Sequence, residues 1–182
     1  MVCAATARVA FSPRFSAVPV VMLVALGSGQ RLIARQPDLS FVPASVTKVM
    51  TVYVAFQEMA RGRLAPGRVF AVPGNVAGEW SGKGTSLYLR AGERLTADQL
   101  LRGIATVSAN DAAIVLAEGH AGSTGRWAGL MNAEAKRLGM AHSHFHTPNG
   151  WPDGGKTYVS AADLVTLASA MLASHPARYH RY

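Results

Sequence analysis

The sequence predicts an α+β domain, and three observations carry that expectation. Two apolar, β-branched-rich runs flank a Gly-Ser-Gly turn near the start. A Gly-rich stretch with short extended pieces follows the first helical pattern, and four further helical patterns run in succession from Thr96. Strands gathered early and helices late is the order of an α+β chain. The 182 residues are 49% hydrophobic and only 15% charged, which excludes disorder and suffices for one sizeable core. The net charge of +8 comes from scattered Arg residues without aromatic interleaving, so no nucleic-acid partner is expected. Cys3 is the sole cysteine, so neither an intrachain disulfide nor a cysteine-built metal site is possible. No metal or cofactor is expected.

Taken in order, Arg8 and Arg14 precede an apolar run, Val18 to Leu26, that imitates a secretory signal. Pro19 interrupts the run, which is too short to span a bilayer as a helix. The preferred reading is a hairpin: a buried strand Val20–Ala25, the turn Gly27-Ser28-Gly29, and a returning strand Arg31–Arg35. Residues 1–19 are then an N-terminal extension and 20–182 one domain. A helix begins near Ser45, with Val46, Val49, Met50, Tyr53, Phe56 and Met59 as its buried stripe and Gly62 as its stop. From Arg63 to Gly92 the chain reads as strands and loops, Val69–Val72 and Leu87–Leu89 being the extended pieces. Thr96-Ala97-Asp98-Gln99 is a capping box. A helix follows from Asn110 or Asp111 through Leu116, with Asp111 read as a cap. Another carries Trp127, Leu130, Met131, Ala135 and Leu138 and stops at Gly139. The last begins near Ser160 and buries Leu164, Leu167, Ala168 and Met171. A two-stranded ribbon is a poor sheet by itself, so further strands are expected to complete it.

Ser45 and Lys48 carry the first chemical signal. Three apart on a helix, they share a face. A serine hydroxyl needs an adjacent base, and a lysine serves as one only when burial or neighbouring charge lowers its pKa. The spacing alone is equally that of an N-cap and a solvated lysine. Ser108-Ala109-Asn110 is the second signal: a hydroxyl able to relay a proton and an amide able to hold a substrate peptide group. By itself this triplet also reads as a helix cap. The two together, in this order, match the first two of the three motifs S-x-x-K, S-D-N and K-T-G.

Around these motifs the sequence resembles the low-molecular-weight penicillin-binding proteins that act as D-Ala-D-Ala carboxypeptidases, peptidase family S11. The resemblance runs from about Val20 to the C-terminus. It includes Pro43–Thr51, Leu100–Gly103, Ser108–Ala113, Met131-Asn132, Leu138–Met140, His144-Phe145, Asn149-Gly150 and Ser160–Leu164. It implies the β-lactamase/penicillin-binding-protein (transpeptidase-like) fold. It also implies an acyl transfer in which Ser45 is the nucleophile, Lys48 its base, Ser108 a proton shuttle and Asn110 a substrate-orienting residue. The implied partners are peptidoglycan pentapeptides as substrates and β-lactam antibiotics as covalent inhibitors, in the periplasm or cell envelope.

The third motif has no counterpart. The chain's Lys-Thr pair, Lys156-Thr157, is followed by Tyr158 and lies in a Gly-rich loop, so its role is not carried over. The expectation is therefore a catalytic domain lacking its C-terminal sheet strands, the family's β-domain and its membrane anchor, with weak activity or none. A D,D-endopeptidase of the same family and an inactive remnant are the alternatives. A class A β-lactamase is disfavoured because no equivalent of its deacylating Glu follows the second motif. His142, His144 and His146 read as loop residues rather than ligands, and Glu79-Trp80 as either cleft border or loop packing.

Overall fold

The computed structural model describes residues 17–182. Cys3, Arg8, Arg14 and most of the expected N-terminal extension lie outside the described residues. The hairpin is present as β1 (Val21–Val24) and β2 (Arg31–Arg35), paired antiparallel with Met22 opposite Ala34 and Leu23 opposite Ile33. The turn closes where the Ala25 and Gln30 backbones meet, and Gly29 supplies a positive φ. Strand β1 is half-exposed rather than buried, with Leu23 turned to solvent.

Helix α1 (Thr47–Ala60) is the post around which the rest is built. Met50, Tyr53, Val54, Ala55 and Phe56 are each at most 1% exposed, so the helix is covered on nearly every side. Truncating one such aromatic, Phe56, to alanine would cost about 3–5 kcal/mol. Two members of the expected stripe, Val46 and Val49, are exposed instead. Val46 belongs to a 3-10 turn over Ala44–Val46 that precedes the regular helix, and Val49, within the helix, faces an open cleft. Gly62, just beyond the helix end, has the left-handed φ the stop signal implied.

The segment read as strands and loops holds β3 (Val69–Ala71), then a helix α2 (Gly74–Trp80) that the sequence reading missed, then β4 (Arg94–Thr96) paired antiparallel with β3. Leu87–Leu89 is not a strand. Its backbone N–H groups are claimed by a side chain: Leu87 and Leu89 both donate to the Asp111 carboxylate, at 3.0–3.1 Å, and the Ser86 hydroxyl joins them at 2.6 Å. Asp111 is fully buried and also accepts from the Ala112 N–H. It is not the cap read from sequence: Ala109 stands at the N-cap of the helix that follows, with no side-chain cap, and Asp111 lies inside the first turn, where its main work is to hang this loop. The loop leaves Tyr88 at φ +57 and pointing outward.

The capping box forms as read: Thr96 Oγ1 accepts from the Gln99 N–H while Gln99 Oε1 accepts from the Thr96 N–H, opening α3 (Ala97–Val107). Helix α4 (Asn110–Ala121) runs beyond Leu116 to a left-handed Gly122, and α5 (Thr124–Leu138) ends on a left-handed Gly139. Ser160 caps α6 (Ala161–Ser174), in which Leu167 and Met171 are buried but Ala168 is exposed. A short α7 (Pro176–Arg181), not anticipated, follows His175. Helix α1 packs on α3 and α5, α4 lies between α3 and α5, and α6 bridges from α5 to β1.

Far from Ser45, α1 is anchored by charge. Glu58 is buried among Arg61, Arg63 and His120, and Glu134 of α5 takes Arg61 and Arg137. Hydrogen bonding from Arg63 holds the Glu58 carboxyl down to about 2, against the opposing effect of burial. Among the described residues, no helix is long and apolar enough to cross a membrane.

Candidate active site

Ser45 sits in the 3-10 turn that leads into α1, exposed to solvent, while Lys48 in the first turn of the helix is 3% exposed. Lys48 Nζ donates to Ser45 Oγ at 3.0 Å and to the Asn149 carbonyl at 2.9 Å. Burial pushes the Lys48 ammonium down from its ordinary value to about 8. The sequence-level pair is thus a hydroxyl in contact with an amine whose pKa burial has lowered, the arrangement a nucleophile and its base require.

What places Asn149 there is a chain of pegs. Asn132 of α5 clasps the Phe145 backbone with both ends of its amide, and Asp163 of α6 accepts from the His142 N–H and the Ser143 hydroxyl. One turn of α1 then takes two consecutive carbonyls: Thr51 donates to Pro148 at 2.6 Å, Lys48 to Asn149. Gly150 follows at φ +71, and a Cβ built there would lie 1.9 Å from the Ala44 carbonyl oxygen. Only glycine lets this loop lie against the turn that carries Ser45.

A cleft of about 560 Å³ opens at Ser45 and Lys48, and Ser108, Ile104, Met171 and Tyr182 line it as well. The structure therefore brings three of the four expected residues to one cavity. Ser108 ends α3 in the left-handed conformation, φ +57, and its carbonyl accepts from the Thr85 hydroxyl. Lys48 bonds to Ser45 and Asn149, and among the described residues no hydrogen bond joins it to Ser108, which shares the cleft. Asn110 is 4% exposed; its Nδ2 donates to the Lys83 carbonyl at 2.9 Å and it does not line the cleft. Ala44 before the nucleophile and Ser108 are two of only four non-glycine residues with positive φ among the described residues. Such backbone strain gathers where geometry is held for function.

Sequence reasoning missed Asn149 and Gly150 as parts of the site. The signal was the dipeptide itself, a turn pair that also belonged to the resemblance. Thr157 gives its hydroxyl to Asp153 and accepts from the His146 N–H, so Lys156-Thr157 stiffens its own loop and does not line the cleft. His144 stacks on Tyr158 and bonds the Lys156 carbonyl. Glu79-Trp80 lies at the end of α2, where Trp80 meets Trp151 edge to face at 5.7 Å.

The family model described as D-alanyl-D-alanine carboxypeptidase matches residues 9–182. The D-alanyl-D-alanine carboxypeptidase DacA of Escherichia coli K12 is 36% identical over 165 residues, covering 88% of this chain and 40% of that protein. DacD from Francisella tularensis superposes with a TM-score of 0.82 at 34% identity, over 88% of this chain and 38% of that one. Penicillin binding protein 5 from Haemophilus influenzae superposes with a TM-score of 0.84 at 28% identity, over 88% and 46%. The α+β architecture is thus that of the penicillin-binding proteins. The chain spans less than half the length of these relatives.

Proposed function

The chain belongs to the D-alanyl-D-alanine carboxypeptidase family, and we propose that Ser45 is the acylated nucleophile of a serine D-Ala-D-Ala carboxypeptidase acting on peptidoglycan stem peptides in the cell envelope. The observation that carries this reading is the 3.0 Å contact between Ser45 Oγ and a buried Lys48 whose pKa is about 8. Neutral Lys48 takes the hydroxyl proton as Ser45 Oγ attacks the carbonyl between the two D-alanines. The C–N bond then breaks, and the terminal D-Ala leaves with a proton delivered through Ser108. Water attacks the resulting ester as Lys48 accepts its proton, and Lys48 returns that proton to Ser45 Oγ as the C–O bond breaks. Asn110 does not line the cleft itself; with its NH2 group held by the Lys83 carbonyl, its amide carbonyl is the group left to orient a substrate peptide that extends beyond the cleft. The Ser45 N–H stands at the start of α1 and supplies one oxyanion donor.

A β-lactam acylates the same oxygen, because its strained amide presents an equivalent carbonyl. Incubation with a fluorescent penicillin tests the reading. Stoichiometric labelling that disappears in Ser45→Ala and falls steeply in Lys48→Met supports it. A folded chain that takes no label sinks it. Release of D-Ala from a synthetic pentapeptide then separates carboxypeptidase from endopeptidase activity.

A further inference from the structure

Asn110 is held by a loop that is tied at its ends, where Lys83 N–H donates to the Trp80 carbonyl and Gly82 N–H to the Ser86 hydroxyl. Three hydrogen bonds join the turn Ser108–Asn110 to the loop Ser81–Thr85. The Asn110 N–H donates to the Thr85 carbonyl at 2.8 Å, Asn110 Nδ2 to the Lys83 carbonyl at 2.9 Å, and Thr85 Oγ1 to the Ser108 carbonyl at 3.0 Å. Both glycines of that loop, Gly82 and Gly84, have positive φ, so its backbone is of the permissive kind that wanders unless something packs on it.

What packs on it is aromatic. The Lys83 ammonium lies 4.4 Å from the Trp80 ring centroid and 5.1 Å from that of Trp151, and the two indoles meet edge to face. A cation held over indole faces is attracted by the ring quadrupoles. Gly84 lies so close beneath that a Cβ there would be 2.9 Å from Asn110 Nδ2 and 3.2 Å from Trp151 Cζ3. Trp151 follows Asn149 and Gly150, and its N–H donates to Asn149 Oδ1 at 3.1 Å. The Asn149 carbonyl is the acceptor for Lys48. Among the described residues, no backbone hydrogen bond joins the loop 81–85 to the segment 148–151. The Trp151 side chain is what connects them.

We propose that Trp151, with Trp80 and Lys83, is a positioning clamp that fixes Asn110 relative to the Ser45–Lys48 pair. The acceptor of Lys48 and the acceptor of Asn110 lie on two different loops, and the indole of Trp151 sets the distance between them. The exposed Glu79 carboxylate, 3.4 Å from Lys83 and screened by water, is not part of the clamp. The proposal rests on the acylation reading above for its kinetic consequence, but not for its structural one.

The test combines two measurements on the same chains. Penicillin acylation is resolved into a binding constant and an acylation rate constant, and the Asn110 side-chain NH2 is followed by 15N NMR. Trp151→Ala and Lys83→Met are expected to slow acylation by about 10- to 100-fold, the scale of a roughly 1 Å misplacement, and to shift the Asn110 NH2 resonances and speed their exchange with water. Trp151→Phe and Lys83→Arg, which keep a ring and a cation, are expected to restore most of the rate. Glu79→Gln should match the parent chain. If the parent chain takes no label, the acylation reading fails, and the clamp is judged by the Asn110 resonances alone. Unmoved resonances in Lys83→Met, a change at a half-buried side chain outside the core, overturn the proposal, as does acylation by Trp151→Ala within twofold of the parent.

Discussion

Replacing Gly150 by alanine should damage the site more than any comparable glycine change in the molecule. The added Cβ would stand 1.9 Å from the Ala44 carbonyl oxygen and 2.7 Å from Thr47 Oγ1, so backbone must move by about 1 Å or more before ordinary contact is reached. The loop that moves carries the Asn149 carbonyl, now 2.9 Å from Lys48 Nζ. Such a shift stretches that bond out of hydrogen-bonding range. Losing a charge-assisted bond costs about 1.5–3 kcal/mol, and the left-handed φ of +71 adds about 1–2 kcal/mol for any residue with a Cβ. Together these lower Tm by roughly 5–20 °C for a domain of this size. Acylation should slow about 100-fold, because Lys48 loses the partner that aims it at Ser45. Gly154→Ala is the matched control, with φ +73 and nothing within 4 Å of the added atom. It should carry the backbone strain alone, with acylation within twofold of the parent. Thermal unfolding and pseudo-first-order labelling by a fluorescent penicillin read both quantities. If Gly150→Ala behaves like Gly154→Ala in both, the loop does not position Lys48 and the reasoning is refuted.

Four further outcomes are expected. Because burial lowers Lys48 to about 8, the acylation rate should rise about tenfold per pH unit below that value and level off above it; a profile still climbing at pH 10 would contradict the assignment of Lys48 as base. Ser108→Gly relieves a left-handed serine and should raise Tm by a few degrees while slowing acylation, and faster or unchanged acylation would remove Ser108 from the mechanism. Asp111→Ala strands three backbone N–H groups, two of them buried, and the Ser86 hydroxyl. It should cost more than about 3 kcal/mol and open residues 86–90 to limited proteolysis; a protected loop would show that other contacts hold it. Arg63 holds Glu58 at about 2, below its ordinary 4.5, so the stabilisation is complete above pH 4.5 and drains away as pH falls toward 2. Denaturant titrations should therefore show the stability gap between the parent and Glu58→Gln narrowing over that window, and a constant gap would refute it.

The hairpin and the helices α3, α5 and α6 were legible because their signals are local. A Gly-Ser-Gly turn, a reciprocal Thr–Gln box and a terminal glycine each act within a few residues. Helix α2 was hidden because two of its seven residues are glycine, which weakens any periodic pattern. The alternation at Leu87–Leu89 imitates a strand, yet the N–H groups a ladder would use go to Asp111, more than twenty residues away. The site divides the same way. One helical turn fixes the proximity of Ser45 and Lys48, but their role could be read only with Ser108-Ala109-Asn110 and the resemblance around them. The burial that lowers Lys48, and the Asn149 carbonyl that aims it, depend on loops pegged by Asn132, Asp163 and Thr51. The inward turn of Asn110 is likewise set by Lys83 and Trp151, and no local rule connects those residues.

Helix α1 is held at both ends by polar bonds and along its length by close packing. Lys48 and Thr51 tie its first turns to the Asn149 and Pro148 carbonyls, and at the far end Glu58 bonds His120 of α4 while Arg61 reaches Glu134 of α5. A rod fastened in this way can neither slide along its axis nor roll about it without breaking bonds at two distant places, so the reacting pair has no soft degree of freedom of its own. Any adaptation to substrates or inhibitors of different shape must come from the loops that face the rod. Substitutions that retune which ligands are accepted should therefore accumulate around Gly84 and Trp151 and along the α6–α7 rim, while α1 itself tolerates almost none.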